Sequence, residues 1–301
     1  MLTAAGRSAE EIARNLSDGV TLKTGPYRFR VVSGEMGVAR GLSTLYNGFP
    51  VGPDEGLRDF HVSVGRVAGP RRWFRPQVNF HQDDQTPFKP LPAAQAFALF
   101  EWGMNWCIAT RGHHYLLLHA AVLERNGRAV VMPAQPGAGK STLTAALMLS
   151  GWRLLSDEMA LIDRDDGLLV PLARPVSLKN RSIDVIRAFD RSAVFGEVAH
   201  DTHKGTVSHL RPSRESVRRM DEKARPAHIV FPKWAEGAEA VLTPRGKADA
   251  FMHAASHAFN YSLLGRLGFE LQANLIDASE CWDFRYSQLD DALRIFESLC
   301  A

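Results

Sequence analysis

The chain is poor in cysteine, in net charge and in long apolar runs, and each shortage removes a class of protein. Three cysteines in 301 residues, Cys107, Cys281 and Cys300, lie far apart without metal-ligand spacing. That excludes a disulfide scaffold and a zinc ribbon and suits a reducing cytosol. A formal charge of +3 does not single out nucleic acid as a partner. The basic cluster from Arg211 to Arg225 reads as a solvated helix face. No apolar stretch approaches the roughly 18 residues of a membrane span. Arg7, Glu10, Glu11 and Arg14 stand where a signal peptide would have its apolar core. Repeats and low-complexity tracts are lacking too. The expectation is a cytoplasmic globular protein with no membrane and no nucleic-acid partner.

What is present divides near residue 90. Before it, Tyr27–Val31 and Phe60–Val64 alternate polar and apolar between Gly and Pro turns, as half-buried strands do. Residues 1–90 are therefore expected to be a smaller β-rich region, with the proline-containing stretch 69–92 as a loop or linker. Residues 91–301 are expected to form an α/β domain. It opens with a largely buried helix over 93–109, where Phe97, Phe100, Met104 and Ile108 recur at helical spacing. Two strands then flank Asn126-Gly127, a strong hairpin signal. Later, 227–231, 238–242 and 281–286 read as strands, 174–180 as a loop, 182–189 as a short helix, 200–212 as a polar flap, and 247–264 and 289–299 as helices.

The hairpin's second strand, Ala129–Met132, runs into Pro133-Ala134-Gln135-Pro136-Gly137-Ala138-Gly139-Lys140-Ser141-Thr142. A strand, a glycine turn, then a helix through Leu143–Met148 is the context of a phosphate-binding loop. Glycines let successive N–H groups face one concavity, the helix adds the positive end of its dipole, and lysine reaches the terminal phosphates. Ser141 would hold Mg²⁺ through its hydroxyl. The first glycine of the motif falls on Ala134, which takes positive φ less readily. Downstream, Trp152–Glu158 reads as a strand ending in two acids, Asp157 and Glu158. Phosphoryl transfer needs a metal to neutralise phosphate charge and a carboxylate for the acceptor hydroxyl, and adjacent acids can divide those duties. His200 and His203 lack further ligands and read as surface histidines.

His119, the loop Gly137–Thr142 and the block Gly151–Glu158, in that order, resemble the catalytic domain of HPr kinase/phosphorylase, in particular its HPr-kinase-related members. The resemblance covers roughly residues 112–300. It implies an α/β P-loop kinase domain of the HPr kinase type with a smaller β-rich N-terminal domain. It makes Asp157 the general base, with His119 beside it and Lys140 on the phosphates, and puts Pro136 to Thr142 around the nucleotide. It gives Glu158 to the metal with Ser141, although the parent family has aspartate there. Arg245, in Thr243–Lys247, resembles an arginine that the family places near the phosphates. Arg174, Lys179, Lys204 and Arg211 are further candidate contacts. The glycine-rich signature that follows the acids in the parent family, linked to phosphorolysis, is not found.

The function expected is ATP- and Mg²⁺-dependent transfer of the γ-phosphate to a hydroxyl, with a Ser or Thr of a peptide or protein of unknown identity favoured by the resemblance. A nucleotide-gated binding module and an ATP hydrolase without phosphotransfer are the alternatives. Residues 1–90 would serve acceptor recognition or assembly, and the parent family's assemblies suggest a homo-oligomer.

Overall fold

In the computed structural model, which describes residues 6–52, 56–69 and 74–300, the chain is mixed α/β with several sheets. It divides into two units. The first takes Met1–Arg111, Ser177–Asp184 and Ser192–Pro212, and the second takes Gly112–Val176, Val185–Arg191 and Ser213–Ala301.

The first unit begins with α1 (Ala9–Asp18), β1 (Val20–Thr24), β2 (Tyr27–Ser33), α2 (Met36–Leu45), β3 (Val51–Gly52), β4 (Phe60–Arg66), β5 (Gln77–Gln82), β6 (Leu91–Pro92) and α3 (Ala96–Arg111). A capping box starts α1: Ser8 Oγ accepts from the Glu11 N–H, and Glu11 Oε2 accepts from the Ser8 N–H. The six strands make one sheet in the order β3-β1-β2-β4-β5-β6, in which only β2 and β4 run parallel. Within the stretch expected to be a loop, β5 forms because Val78, Phe80 and Gln82 bury one face between half-buried polar residues. Residues 70–73 of that stretch lie outside the described residues. α3 packs on this sheet so closely that a Cβ on Gly103 would come within 2.1 Å of the Phe80 ring. Its apolar stripe therefore belongs to the first unit, and the division falls after Arg111 where the sequence reading places it near residue 90.

Next come β7 (Tyr115–Leu118), β8 (Ala120–Arg125), β9 (Arg128–Pro133), α4 (Lys140–Leu149), β10 (Arg153–Ser156), β11 (Ala160–Asp163) and β12 (Leu169–Val170). Then β13 (Val176–Lys179), α5 (Arg181–Phe189), β14 (Ala199–Thr202) and β15 (Gly205–Leu210) follow, and most of this passage returns to the first unit. Here 176–179, expected as a loop, is a strand. The expected flap is a hairpin, paired in the order β13-β15-β14. It is fixed because Ala199 and Val207 pack with Ala98 and Trp102 of α3. The chain closes with α6 (Arg214–Arg218), β16 (Arg225–Trp234), β17 (Val241–Pro244), α7 (Lys247–Ala255), α8 (Tyr261–Leu264), α9 (Arg266–Asp277), β18 (Glu280–Tyr286) and α10 (Leu289–Leu299).

The second unit is built on a sheet ordered β10-β8-β9-β16-β18-β17, with β9, β16 and β18 parallel. Asn126 and Gly127, at φ 54° and 77°, close the β8–β9 hairpin as the sequence predicts. Val122, Val131, Ile229 and Cys281 face a core shared with Ala250 and Ala254 of α7 and Leu271 and Leu275 of α9. On the opposite face of β18, Phe284 meets Phe296 of α10, which also meets Trp152. The three cysteines are buried free thiols.

His228 of β16, 1% exposed, donates from Nε2 to the Leu299 carbonyl at 2.9 Å and receives the Trp282 indole N–H on Nδ1 at 3.4 Å. Burial, with Arg128 beside the ring, holds its pKa below the ordinary 6.5, although the Leu299 bond and Glu280 pull the other way. As the pH falls below 6.5 the unfolded chain takes up a proton that the folded imidazole resists, so stability drops. The urea midpoint is expected to be lower at pH 5.5 than at 7.5, and less so in His228→Gln.

Candidate functional site

His119, the glycine turn, Asp157, Glu158, Arg174 and Arg245 lie in the second unit, whereas the further candidates Lys179, Lys204 and Arg211 fall in the first. The four buried residues Val130 to Pro133 carry β9 into a turn that exposes Gln135, Pro136 and Gly137. Gly137 at φ 91° and Gly139 at φ 86° are both left-handed, and α4 starts at Lys140 with no side chain capping it. The first N–H groups of the helix thus have no acceptor within it. Ala134 keeps an ordinary φ, so the missing first glycine imposes no strain.

Two strand ends lock this turn. The Trp234 main-chain N–H donates to the Ala138 carbonyl at 3.0 Å, and the Tyr286 hydroxyl donates to the Gly139 carbonyl at 3.1 Å. A Cβ on Gly139 would lie 2.7 Å from Tyr286 Oη and 2.8 Å from Trp234 Cβ, so this position has neither the φ nor the room for alanine. Burial raises the Tyr286 phenol above its ordinary pKa, keeping it a proton donor.

β10 runs parallel to β9 with β8 between them, and so its carboxyl end reaches the same sheet end as the turn. Ser156 Oγ accepts from the Met159 N–H at 3.0 Å and shapes the bend that carries buried Asp157 and half-buried Glu158. Lys140 donates from Nζ to the main-chain carbonyl of Asp157, with its ammonium 3.7 Å from Asp157 Oδ1. Both side chains are more than nine-tenths buried. Ser141 and Thr142, half-buried, follow in the first turn of α4.

His119 interrupts what the sequence presents as one strand. β7 pairs with β11, while β8 joins the larger sheet, and Ala120 faces Pro133 across the ladder. His119 therefore sits at the sheet end where the turn begins. Its N–H donates to the His257 carbonyl at 2.7 Å, and its ring meets those of His257 and Phe259. Arg245 lies just after β17, with its guanidinium on Asp283 at 2.7 Å and 4.4 Å over the Phe231 ring. So Lys140, Asp157 and the glycine turn are brought together, whereas Arg245 is engaged by Asp283 and Phe231. Among the described residues no group of three or more His, Cys, Asp or Glu side chains could hold a metal by itself.

Residues 99–170 match the family of the SynChlorMet cassette protein ScmC. That span includes His119, the glycine turn and both acids. Among solved structures, the HPr(Ser) kinase/phosphatase from Coxiella burnetii aligns with 61% of this chain and 92% of its own, at 11% identity and a TM-score of 0.26. The structural relationship is weak. A comparison with curated proteins returned no match.

Arg153, which opens β10 within the Gly151–Glu158 block, serves the fold. It is 3% exposed and donates from Nε to Glu124 Oε2 at 2.6 Å and from Nη1 to the Glu222 carbonyl at 2.8 Å. Sequence reasoning missed Trp234 and Tyr286. Each ends a strand parallel to β9, and parallel strands put their carboxyl ends beside one another. That topology was the signal that could have named them.

Proposed function

We propose that the chain is an ATP- and Mg²⁺-dependent kinase that transfers the γ-phosphate to a Ser or Thr hydroxyl of a peptide or protein. The observation that carries this reading is the buried Lys140–Asp157 pair sharing the carboxyl ends of β9 and β10 with a glycine turn that opens a helix. The donor chemistry fits the cofactors. Turn and helix N–H groups with an ammonium suit a triphosphate, and one hydroxyl with one carboxylate, Ser141 and Glu158, suits a magnesium ion that shares phosphate oxygens. Bound Mg²⁺ would supply charge neutralisation on the phosphates. In the transfer, Asp157 accepts the hydroxyl proton while the acceptor oxygen bonds to the γ-phosphorus and the bond to the β-phosphate oxygen breaks, releasing ADP. Lys140 offsets the charge on the phosphates, and His119 flanks the acceptor. Arg245 joins only by giving up Asp283. The first unit is assigned to acceptor recognition or to assembly of a homo-oligomer.

The deciding test is γ-phosphate transfer to candidate peptides by the wild type, Asp157→Asn and Lys140→Ala. The matching family is named for a cassette, so peptides encoded by flanking genes are the first acceptors to try. ATP binding without transfer or hydrolysis for any acceptor would favour the nucleotide-gated module, and acceptor-independent hydrolysis would favour the ATP hydrolase. Tyr286→Phe removes one anchor of the turn and is expected to weaken ATP binding about 2- to 10-fold, measured by calorimetric titration.

A further inference from the structure

Trp234 is large, apolar and 43% exposed at the end of β16, beside the glycine turn. Its main-chain N–H bonds the Ala138 carbonyl of the turn, and its Cβ lies where a side chain on Gly139 would have to go. The indole does something else: its N–H donates to the Ser287 carbonyl at 3.1 Å, which fixes the orientation of a ring still open to solvent. A tryptophan that merely supported the turn would bury its ring.

The strand order gives this ring a direction relative to the chemistry. The acids end β10, two strands to one side of β9, and Trp234 ends β16, next to β9 on the other side. A triphosphate held by the turn with its terminal phosphate towards Lys140 and Asp157 must send its nucleoside away from β10. That path leads to the ends of β16 and β18. Base–aromatic stacking uses an exposed ring and costs less where that ring has already lost its rotational freedom, and it tolerates any base because every base has a π face.

Resting on the kinase reading above, we infer that Trp234 is the stacking platform for the nucleobase of the bound nucleotide. The base contributes affinity through this ring, separately from the phosphates.

Calorimetric titration of the full chain with MgATP and with magnesium tripolyphosphate, which has no base, tests the inference. The wild type should bind MgATP more tightly than tripolyphosphate. Trp234→Ala should weaken MgATP about 5- to 100-fold and leave tripolyphosphate unchanged, while Trp234→Phe should stay within about threefold of the wild type for both. Equal affinity of Trp234→Ala and the wild type for MgATP overturns the platform. So does a parallel loss of tripolyphosphate binding, which would mark Trp234 as a support of the turn. If Trp234→Ala does not fold, the wild-type pair of titrations decides: equal affinity for the two ligands leaves no role for the base. A wild type that binds neither ligand sinks the nucleotide reading itself.

Discussion

Asp157→Asn is expected to cut phosphoryl transfer by about 10²- to 10⁴-fold, the share a positioned general base usually supplies. ATP should still bind, because the bond that ties Lys140 to this position uses the main-chain carbonyl of residue 157, which the amide leaves in place. Asparagine also matches aspartate in size at a side chain only 4% exposed, so packing is preserved. Lys140→Ala should behave differently. It takes the cation from both the phosphates and the buried Asp157 carboxylate, so binding and transfer fall together, transfer by roughly 10²- to 10³-fold. Radiolabelled γ-phosphate transfer beside calorimetric binding separates the two patterns. Wild-type transfer by Asp157→Asn would move the base to another residue.

Glu124→Ala should destabilise the fold by about 3–5 kcal/mol. Glu124, 4% exposed, accepts from Arg153 at 2.6 Å and Arg219 at 3.3 Å, and its other oxygen accepts from the Gly127 N–H at 2.7 Å in the β8–β9 turn. Arg219 is 27% exposed and also reaches Glu222, so it has another partner near water. Arg153 is enclosed, and removing its carboxylate strands a guanidinium. The melting temperature of the 301-residue chain should fall by about 5–8 °C. Replacing both residues, as in Glu124→Met with Arg153→Met, should cost less than Glu124→Ala alone, because no buried charge is left over. Thermal denaturation followed by circular dichroism gives both numbers, and a Glu124→Ala melt within about 2 °C of the wild type would rule the network out as a stabiliser.

Local rules made part of this fold legible in the sequence. Asn126-Gly127 can take positive φ cheaply, α10 keeps one apolar face from Leu289 to Leu299, and β9 is a short apolar run that ends at a glycine turn. Where packing between distant segments decides, the sequence was silent. The alternation in Gln77–Gln82 is hidden by Asn and His between its apolar residues, and 199–210 looks polar until Ala199 and Val207 meet α3. The helix expected over 247–264 ends at Ala255 instead, where Phe259 donates to the Leu117 carbonyl and Asn260 bonds Leu117 and Tyr115. Around the site, the spacing of Lys140 and Asp157 along the chain does not reveal that they touch. Parallel strands make that contact, and they also bring Trp234 and Tyr286 to the turn.

The threading of the chain through two units sets an order of events during synthesis. Ala98 and Trp102 of α3 are covered by residues of the 199–210 hairpin. The first unit therefore stays incomplete until Pro212 has left the ribosome. At about 5–20 residues per second, the roughly 100 residues after Arg111 take about 5–20 s to emerge. By then β9, the glycine turn and β10 are already outside the tunnel. The amino-terminal unit cannot finish until these parts of the carboxyl-terminal one have been made, while residues 213–301 of the latter are still to come, and a gene fragment ending at Arg111 would leave the α3 surface bare for a chaperone to hold.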